Sequence, residues 1–462
     1  MRSISHSPPV LRAALAGLLL AAGACSDSTL PAGPAQAAPL APPSDNVGAF
    51  DCTASIAAHS VSCGPTTPQG VHASILGGQN VNLKLTSSNI TYDSVAQVFA
   101  ADVTVQNLLI QRMGTASGTD TAGVAVFFSS APKATSGTGS VTVNNADGID
   151  VFTGVNQPYF MYRQILPYMA VSAVKRWKWN VPKTVGTFGF RVYVSTEILP
   201  AIVFDRVNGA QVDIFRAGID GSDLTALTSN AADDEDPTTA MGKVVFTSWR
   251  DSTAELYSMP LAGGTQTRLT FTKALDTEPA LSPDGTRIAF INDVSGVGKV
   301  WTAAADGTGA ARATTGFSFA GAIEVAPTWL SNTGLVFVST AAGTADLYTM
   351  TLGGTPAVLE QTSKADIQPA ASPDGSQVAF VSNRSGDTEI WVRNMSTGVA
   401  VNVSKRTGSD AEPTWLPDGR IVFTEYVGST PHLAWVDPSF PGVLHDIPTG
   451  TGTPRRAAGI LY

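Results

Sequence analysis

From about residue 48 to residue 200 apolar residues alternate with polar ones, as in Val81, Leu83 and Leu85, in Val103 and Val105, in Val141 and Val143, in Trp177, Trp179 and Val181, and in Phe188, Phe190, Val192 and Val194. A period of two is the signature of strands with one buried face. Turn-forming stretches separate the runs, including Thr115 to Gly123 (TASGTDTAG), Ser136 to Gly139 and the Asn145 to Gly148 segment. No helical spacing intervenes, so residues 48–200 are expected to form an antiparallel β-sandwich of Ig-like type.

Past residue 200 the chain repeats itself. Pro237, Pro279, Pro327, Pro369 and Pro413 are separated by 42, 48, 42 and 44 residues. After each comes an apolar strand ending in an aromatic, at Phe246, Phe290, Phe337, Phe380 and Phe423. A third strand carries its own aromatic at Tyr257, Trp301, Tyr348 and Trp391, with Leu433 in the last unit, and a threonine-rich fourth strand follows. The first two strands are joined by Pro-Asp-Gly turns at Pro283, Pro373 and Pro417, where proline presets φ, aspartate bonds nearby backbone and glycine takes the left-handed position. Four short strands in each period of this length make a propeller blade.

The stretch from Pro369 to Trp391 (PAASPDGSQVAFVSNRSGDTEIW) resembles the repeat of TolB-like propellers. The turn around Asp220 and Gly221, ahead of Leu227 and Thr228, matches that repeat's connection between third and fourth strands. The resemblance covers residues 201–462 and implies a six-bladed ring whose channel mouth holds a peptide or protein partner of the cell envelope. It does not extend to the N-terminal part, where TolB carries an α/β domain. The first unit opens at Ile202, Val203 and Phe204 without an inner strand of its own, and the tail from Thr453 to Ala458 is similar to Asp236 to Ala240. That tail is therefore expected to supply the missing strand and close the ring, leaving no sheet edge exposed. The fold class is all-β: an N-terminal antiparallel β-sandwich followed by a six-bladed β-propeller.

The N-terminus adds a location. Arg2 and Arg12 precede the apolar run Ala13 to Ala22, too short to span a bilayer, which reads as an export signal over residues 1–24. Ala22-Gly23-Ala24-Cys25 resembles the lipobox of bacterial lipoproteins, which makes Cys25 the lipidated residue; the alternative is ordinary signal cleavage. Residues 25–47, rich in Pro, Ala and Ser, have the composition of a tether. With Cys25 acylated, Cys52 and Cys63 remain as an even pair in an oxidising compartment, and a disulfide between them is expected. Ser26 in place of an aspartate resembles the signal for outer-membrane sorting, so the chain is expected at the periplasmic face of the outer membrane or the cell surface, as a monomer. Only 14% of residues are charged, and the formal charge of −9 becomes −11 once residues 1–24 are removed (26 basic against 37 acidic residues). That balance argues against nucleic acid as a partner.

Three residues before each repeat proline stands an acid: Asp234, Asp276, Glu324, Asp366 and Asp410. Repetition around a ring would gather them at one mouth of the channel, where they would attract a basic peptide segment or a cation, Ca²⁺ being the candidate. The structural alternative is that each caps a local turn. Trp329 and Trp415 should lie on inner strands and pack between blades. Enzyme chemistry finds little footing. No G-x-S-x-G elbow or H-E-x-x-H occurs, the histidines after the export signal are His59, His72, His432 and His445, and Ser172-Ala-Val-Lys175 and Ser44-Asp45-Asn46 match β-lactamase motifs only in reversed order. The reading is a non-catalytic protein- or peptide-binding scaffold without a cofactor. The alternatives are a glycan-binding adhesin using Tyr159, Tyr162 and Tyr168, or a carbohydrate-active or peptide-cleaving enzyme using channel carboxylates.

Overall fold

The computed structural model describes residues 46–65, 74–75, 82–114, 116–117, 120–121, 123–315, 317 and 321–460. The export signal, Cys25 and nearly all of the tether lie outside the described residues. Among those described there is no α-helix, and so none long and apolar enough to cross a membrane.

The alternating N-terminal segments pair into two facing sheets. The larger runs Gly148–Asp150, Gln157–Tyr162, Val124–Phe128, Val185–Thr196, Asn46–Ser55 and Ser60–Pro65, with Lys133–Gly137 and Ser74–Ile75 attached at its side. Ser74–Ile75 pairs in parallel, a local departure from the antiparallel expectation. The smaller sheet runs Thr142–Val143, Lys175–Asn180, Val98–Asn107 and Leu83–Asp93. The inward residues of both sheets form one core in which Phe99, Phe128, Trp177, Trp179, Phe188 and Phe190 meet, and the Phe160 and Trp177 rings stack 4.7 Å apart. Cys52 and Cys63 stand opposite each other on adjacent strands and are bonded, tying the edge strand Ser60–Pro65 to its neighbour.

From residue 201 onward, six four-stranded sheets follow among the described residues. Blades 2 to 6 have inner strands Asp234–Ala240, Asp276–Leu281, Glu324–Trp329, Asp366–Ala371 and Ser409–Trp415, each followed in sequence by the three strands outside it. Blade 1 is composite: Ala201–Asn208 pairs with Thr453–Gly459, so the C-terminal segment is its inner strand and joins the two ends of the propeller. Each blade buries an aromatic on its second strand (Phe204, Phe246, Phe290, Phe337, Phe380, Phe423), contributing about 1.5–3 kcal/mol apiece from area removed from water. Packing runs from blade to blade; Ala289 and Ile291 of blade 3, for example, share a cluster with Trp329, Leu335 and Phe337 of blade 4.

All inner strands run in the same sense, from the repeat acid at one face of the ring to the turn at the other. The sandwich meets the second face. Gln111 donates to the Ile460 carbonyl, Ile219 N–H to the Pro200 carbonyl, and the Arg112 guanidinium to Asp223 at 2.8 Å. The first face, where the inner strands begin, is turned away from the sandwich.

Candidate functional site: the channel mouth

Each inner strand carries a β-bulge just after its start, seen as a register break between Glu235 and Thr238, Thr277 and Ala280, Val325 and Thr328, Ile367 and Ala370, and Ala411 and Thr414. In five of the strands the repeat proline, which has no N–H for the ladder, sits in the bulge, while the C-terminal strand makes the same break with Ala457 at that place. The residue before the proline is in the left-handed region: φ is 54° at Asp236, 52° at Glu278, 50° at Ala326, 51° at Gln368 and 56° at Glu412. Arg456 takes the same conformation in the C-terminal strand, at 49°. A ring of strained, non-glycine residues costs energy that the surrounding structure must hold, and such strain concentrates where backbone is shaped for function.

These six residues, with the five repeat prolines, Val325, Val338 and Ile367, line a cavity of about 480 Å³ at the first face of the ring. A second cavity of about 120 Å³ lies further along the inner strands, lined by Thr238, Ala280, Thr328, Trp329, Thr414 and Trp415 among others. Around the mouth, side chains from one blade cap backbone of the next. Glu278 accepts from Ala326 N–H at 2.6 Å, Gln368 from Glu412 N–H at 3.0 Å, and Glu412 from Arg456 N–H at 3.0 Å. Ala326 has no side chain with which to continue the series, and there the wall is apolar, made by Val325, Val338 and Ile367.

Opposite that wall lies a charge cluster. Arg456 Nη1 sits 2.6 Å from Glu235, 2.9 Å from Asp236 and 3.5 Å from Asp205, while its Nε is 3.4 Å from Glu412. Arg455 reaches Asp205 at 3.1 Å. Carboxylates outnumber guanidinium groups, and burial pushes the Asp236 carboxyl up to about 8 and that of Asp205 up to about 7 despite the arginines. Burial also raises Glu278. Burial works against the Arg456 charge too, but Asp236, Asp205 and Glu235 outweigh it and raise its pKa. Glu235 shows the reverse balance for an acid: burial opposes its charge, yet the Trp249 indole and the arginines hold its pKa low.

The acids singled out from the repeat are not the residues that face the mouth. Asp234, Asp276, Glu324, Asp366 and Asp410 are each no more than 2% exposed. They sit two residues upstream of the mouth positions and bond within and between blades. Asp234 accepts from Arg250 at 3.0 Å; Asp276 from Asn292 at 2.6 Å and Thr272 at 2.9 Å; Asp366 from Arg384 at 2.7 Å and Thr362 at 3.1 Å. Glu324 accepts from Thr314 at 2.6 Å and Val300 N–H at 3.0 Å, with Lys299 at 3.3 Å. The backbone N–H groups of Asp276, Glu324, Asp366 and Asp410 donate to the preceding blade at Ala254, Gly298, Ala345 and Thr388. Asp410, beside Glu389 and Glu425, has its carboxyl pushed up to about 7 by burial. Their carboxylates bond side chains and the neighbouring blade rather than the N–H groups of a local turn, so a carboxylate one bulge back from the mouth points into the seam between blades. Among the described residues, no three Asp, Glu, His or Cys side chains converge as a metal site.

Trp329 and Trp415 do lie on inner strands, and each indole N–H donates at 2.9 Å to a carbonyl of the preceding blade, Ala280 and Ala370 respectively. Of the tyrosines considered for glycan stacking, Tyr162 is buried and its hydroxyl donates to the Val103 carbonyl, Tyr159 is half-buried, and Tyr168 is exposed. They do not make one surface platform.

Residues 317–439 match the family model described as the TolB β-propeller domain. The propeller is TolB-like. A TolB homologue of Chlorobium luteolum is 33% identical over 158 residues, 34% of this chain and 35% of that protein, and one of Chlorobium chlorochromatii is 32% identical over 153 residues, 31% of each. The matched region thus spans about a third of the length of these relatives. The crystal structure of TolB from Acinetobacter baumannii superposes with a TM-score of 0.51 at 20% identity, covering 56% of this chain and 66% of that one, which shows the shared fold. The mouth of this TolB-like propeller was missed in the sequence for a definite reason: its members are chemically unlike one another, and five of them are marked only by their place before the repeat proline, Arg456 not even by that.

Proposed function

We propose that the propeller is a non-catalytic docking module whose mouth receives a protein or peptide segment of the cell envelope, on a chain exported and held at a membrane through Cys25. The observation that carries this reading is the mouth itself: a cavity of about 480 Å³ ringed by left-handed residues whose side chains differ from blade to blade. A purely structural ring would gain nothing from such variety, whereas a recognition surface does. The face that bears it is turned away from the sandwich, leaving it open to a partner. Resemblance to TolB-like propellers points to the same face. The nucleophile–base–orienter arrangement that hydrolysis needs is not what the mouth offers; its carboxylates are engaged by arginines and backbone N–H groups.

Site-specific photo-crosslinking tests the proposal. A photoreactive residue in place of Gln368, at the mouth, should capture a discrete envelope protein in the cells that make this chain, whereas the same residue in place of Met241, exposed on the opposite face, should not. Equal capture at both positions, or capture only at Met241, would refute it.

A further inference from the structure

The first face of the propeller is not alike on all sides. Four consecutive connections there hold a large apolar side chain in solvent: Trp249, between the second and third strands of blade 2; Phe271, between blades 2 and 3; Val294, between the second and third strands of blade 3; and Ile323, the last residue before the inner strand of blade 4. Each stands beside the start of an inner strand. Trp249 N–H donates to the Asp233 carbonyl, Phe271 leads into Thr272, whose hydroxyl donates to Asp276, Val294 follows closely on Asn292, which donates to Asp276 from the other side, and Ile323 precedes Glu324. Phe271 is 74% exposed and Val294 68%. Single exposed apolar residues are ordinary on a protein surface, whereas a run of them along one arc marks a contact surface. The next connections, around blades 4 to 6, present Lys364, Asp387, Lys405 and Arg406 instead, Val427 being the apolar exception.

The two aromatic members of the arc are held in place. Trp249 Nε1 donates to Glu235 at 2.7 Å, which fixes the indole beside the mouth, and the Arg268 guanidinium lies 4.7 Å from the centre of the Phe271 ring. Rings kept in position while exposed lose little conformational freedom when a partner covers them. The arc also runs into the mouth, since Ile323 leads through Glu324 to Val325 and Ala326, which with Val338 and Ile367 form the apolar wall. Around the rest of the mouth five carboxyl groups, those of Asp205, Glu235, Asp236, Glu278 and Glu412, face the two guanidinium groups of Arg455 and Arg456. We propose that a partner protein docks asymmetrically on this face: its segment lays aliphatic or aromatic side chains on the arc over blades 2 to 4 and on the apolar wall, and places a lysine or arginine over the carboxyl groups of the mouth. The inference rests on the docking reading above and adds to it the side of approach and the chemistry of the partner. Covering the arc removes apolar surface from water, while the excess of carboxyl groups selects a cation and fixes the register of the segment.

Photo-crosslinking of the full chain in its own cells tests this. A photoreactive residue in place of Val294 should capture the same protein as one in place of Gln368, and one in place of Asp387, exposed in the corresponding connection of blade 5, should not. Digestion of the Gln368 adduct at acidic residues leaves basic and apolar ones in place, and the captured segment should hold a lysine or arginine close to aliphatic or aromatic residues. Phe271→Asp combined with Val294→Asp, at positions exposed in the free protein, should leave the melting temperature unchanged and lower capture at Gln368 about tenfold or more. No capture at Gln368 would refute docking at the mouth altogether. Capture there with equal yields at Val294 and Asp387, undiminished capture by the doubly substituted chain, or a captured segment without basic residues overturns this inference and leaves docking at the mouth standing. A captured segment that belongs to this chain itself overturns it in favour of self-association.

Discussion

Replacing Arg456 with glutamine removes the cation that the mouth is built around while keeping the length of the side chain. In the native protein that guanidinium lies within 3.5 Å of Glu235, Asp236, Asp205 and Glu412 and belongs to the strand that closes the ring. Removing one partner of a fully buried pair costs roughly 3–5 kcal/mol because the other charge is left uncompensated. Here the arginine is 29% exposed and three of the four acids 17–20%, Asp205 alone being fully buried, so solvent screens part of the loss and about 2–3 kcal/mol is expected at pH 8.5. For a domain of this size that corresponds to a fall of roughly 5–10 °C in Tm. The pH dependence has a definite sign. Asp236 and Asp205, pushed up to about 8 and about 7, are ionised at pH 8.5 and largely protonated at pH 5. At pH 5 the arginine has fewer charges to balance, so its removal should cost about half as much. Calorimetric or fluorescence-monitored melting of both proteins at pH 5 and pH 8.5 makes the comparison. An equal loss at the two pH values, or no loss at either, would refute the assignment of Arg456 as the charge that holds the mouth together.

Asp410→Asn probes the buried seam between blades 5 and 6: the folded carboxyl, pushed up to about 7, keeps its proton where the unfolded one, near 3.9, has lost it, so native stability falls as pH rises from about 4 to 7 by up to ~1.4 kcal/mol per unit. The amide carries no such slope, and the variant should gain in Tm relative to the native chain as pH rises from 5 to 8; a parallel pair of curves would contradict this. Reducing the Cys52–Cys63 bond, which spans 11 residues, should lower sandwich stability by roughly 2–3 kcal/mol in the chain-entropy picture, read as a lower melting transition in reductant or in Cys52→Ser with Cys63→Ser. Trp415→Phe keeps the ring but loses the bond to the Ala370 carbonyl and should cost about 1–2 kcal/mol, measured by denaturant unfolding with an unchanged m-value.

The repeat was legible because every blade solves the same problem in the same way: a proline for the bulge, an aromatic for the blade centre, a Pro-Asp-Gly turn between the first two strands. Ring closure was legible in the likeness of Thr453 to Ala458 to Asp236 to Ala240, although the structure sets Arg456 and Ala457, not Thr453 and Pro454, at the places of Asp236 and Pro237. The sandwich strands showed in their alternation, but their order did not, because Val185–Thr196 pairs with Asn46–Ser55 from the far end of the segment and no local pattern records that contact. The mouth was misplaced by two residues. An acid repeated at Asp234, Asp276, Glu324, Asp366 and Asp410 attracts notice as a charged ring, yet repetition is what a blade seam demands of its staples. The residues that face solvent at Asp236, Glu278, Ala326, Gln368, Glu412 and Arg456 vary, and variation hides a site from a reading based on periodicity. What the six share is conformational: each, Arg456 without a following proline included, holds a left-handed φ at the bulge of its inner strand.

The most direct test of the docking account is an affinity capture from detergent-extracted envelopes of the native cells, comparing the intact chain with Ala326→Trp. Ala326 already holds the left-handed conformation that its counterpart Gln368 tolerates with a long side chain, so an indole there should fill the mouth while leaving the blade seams intact. The account predicts that a partner recovered with the native protein is lost, by at least tenfold, with a variant of unchanged melting temperature. Undiminished recovery by that folded variant would mean that the mouth is not where the partner docks.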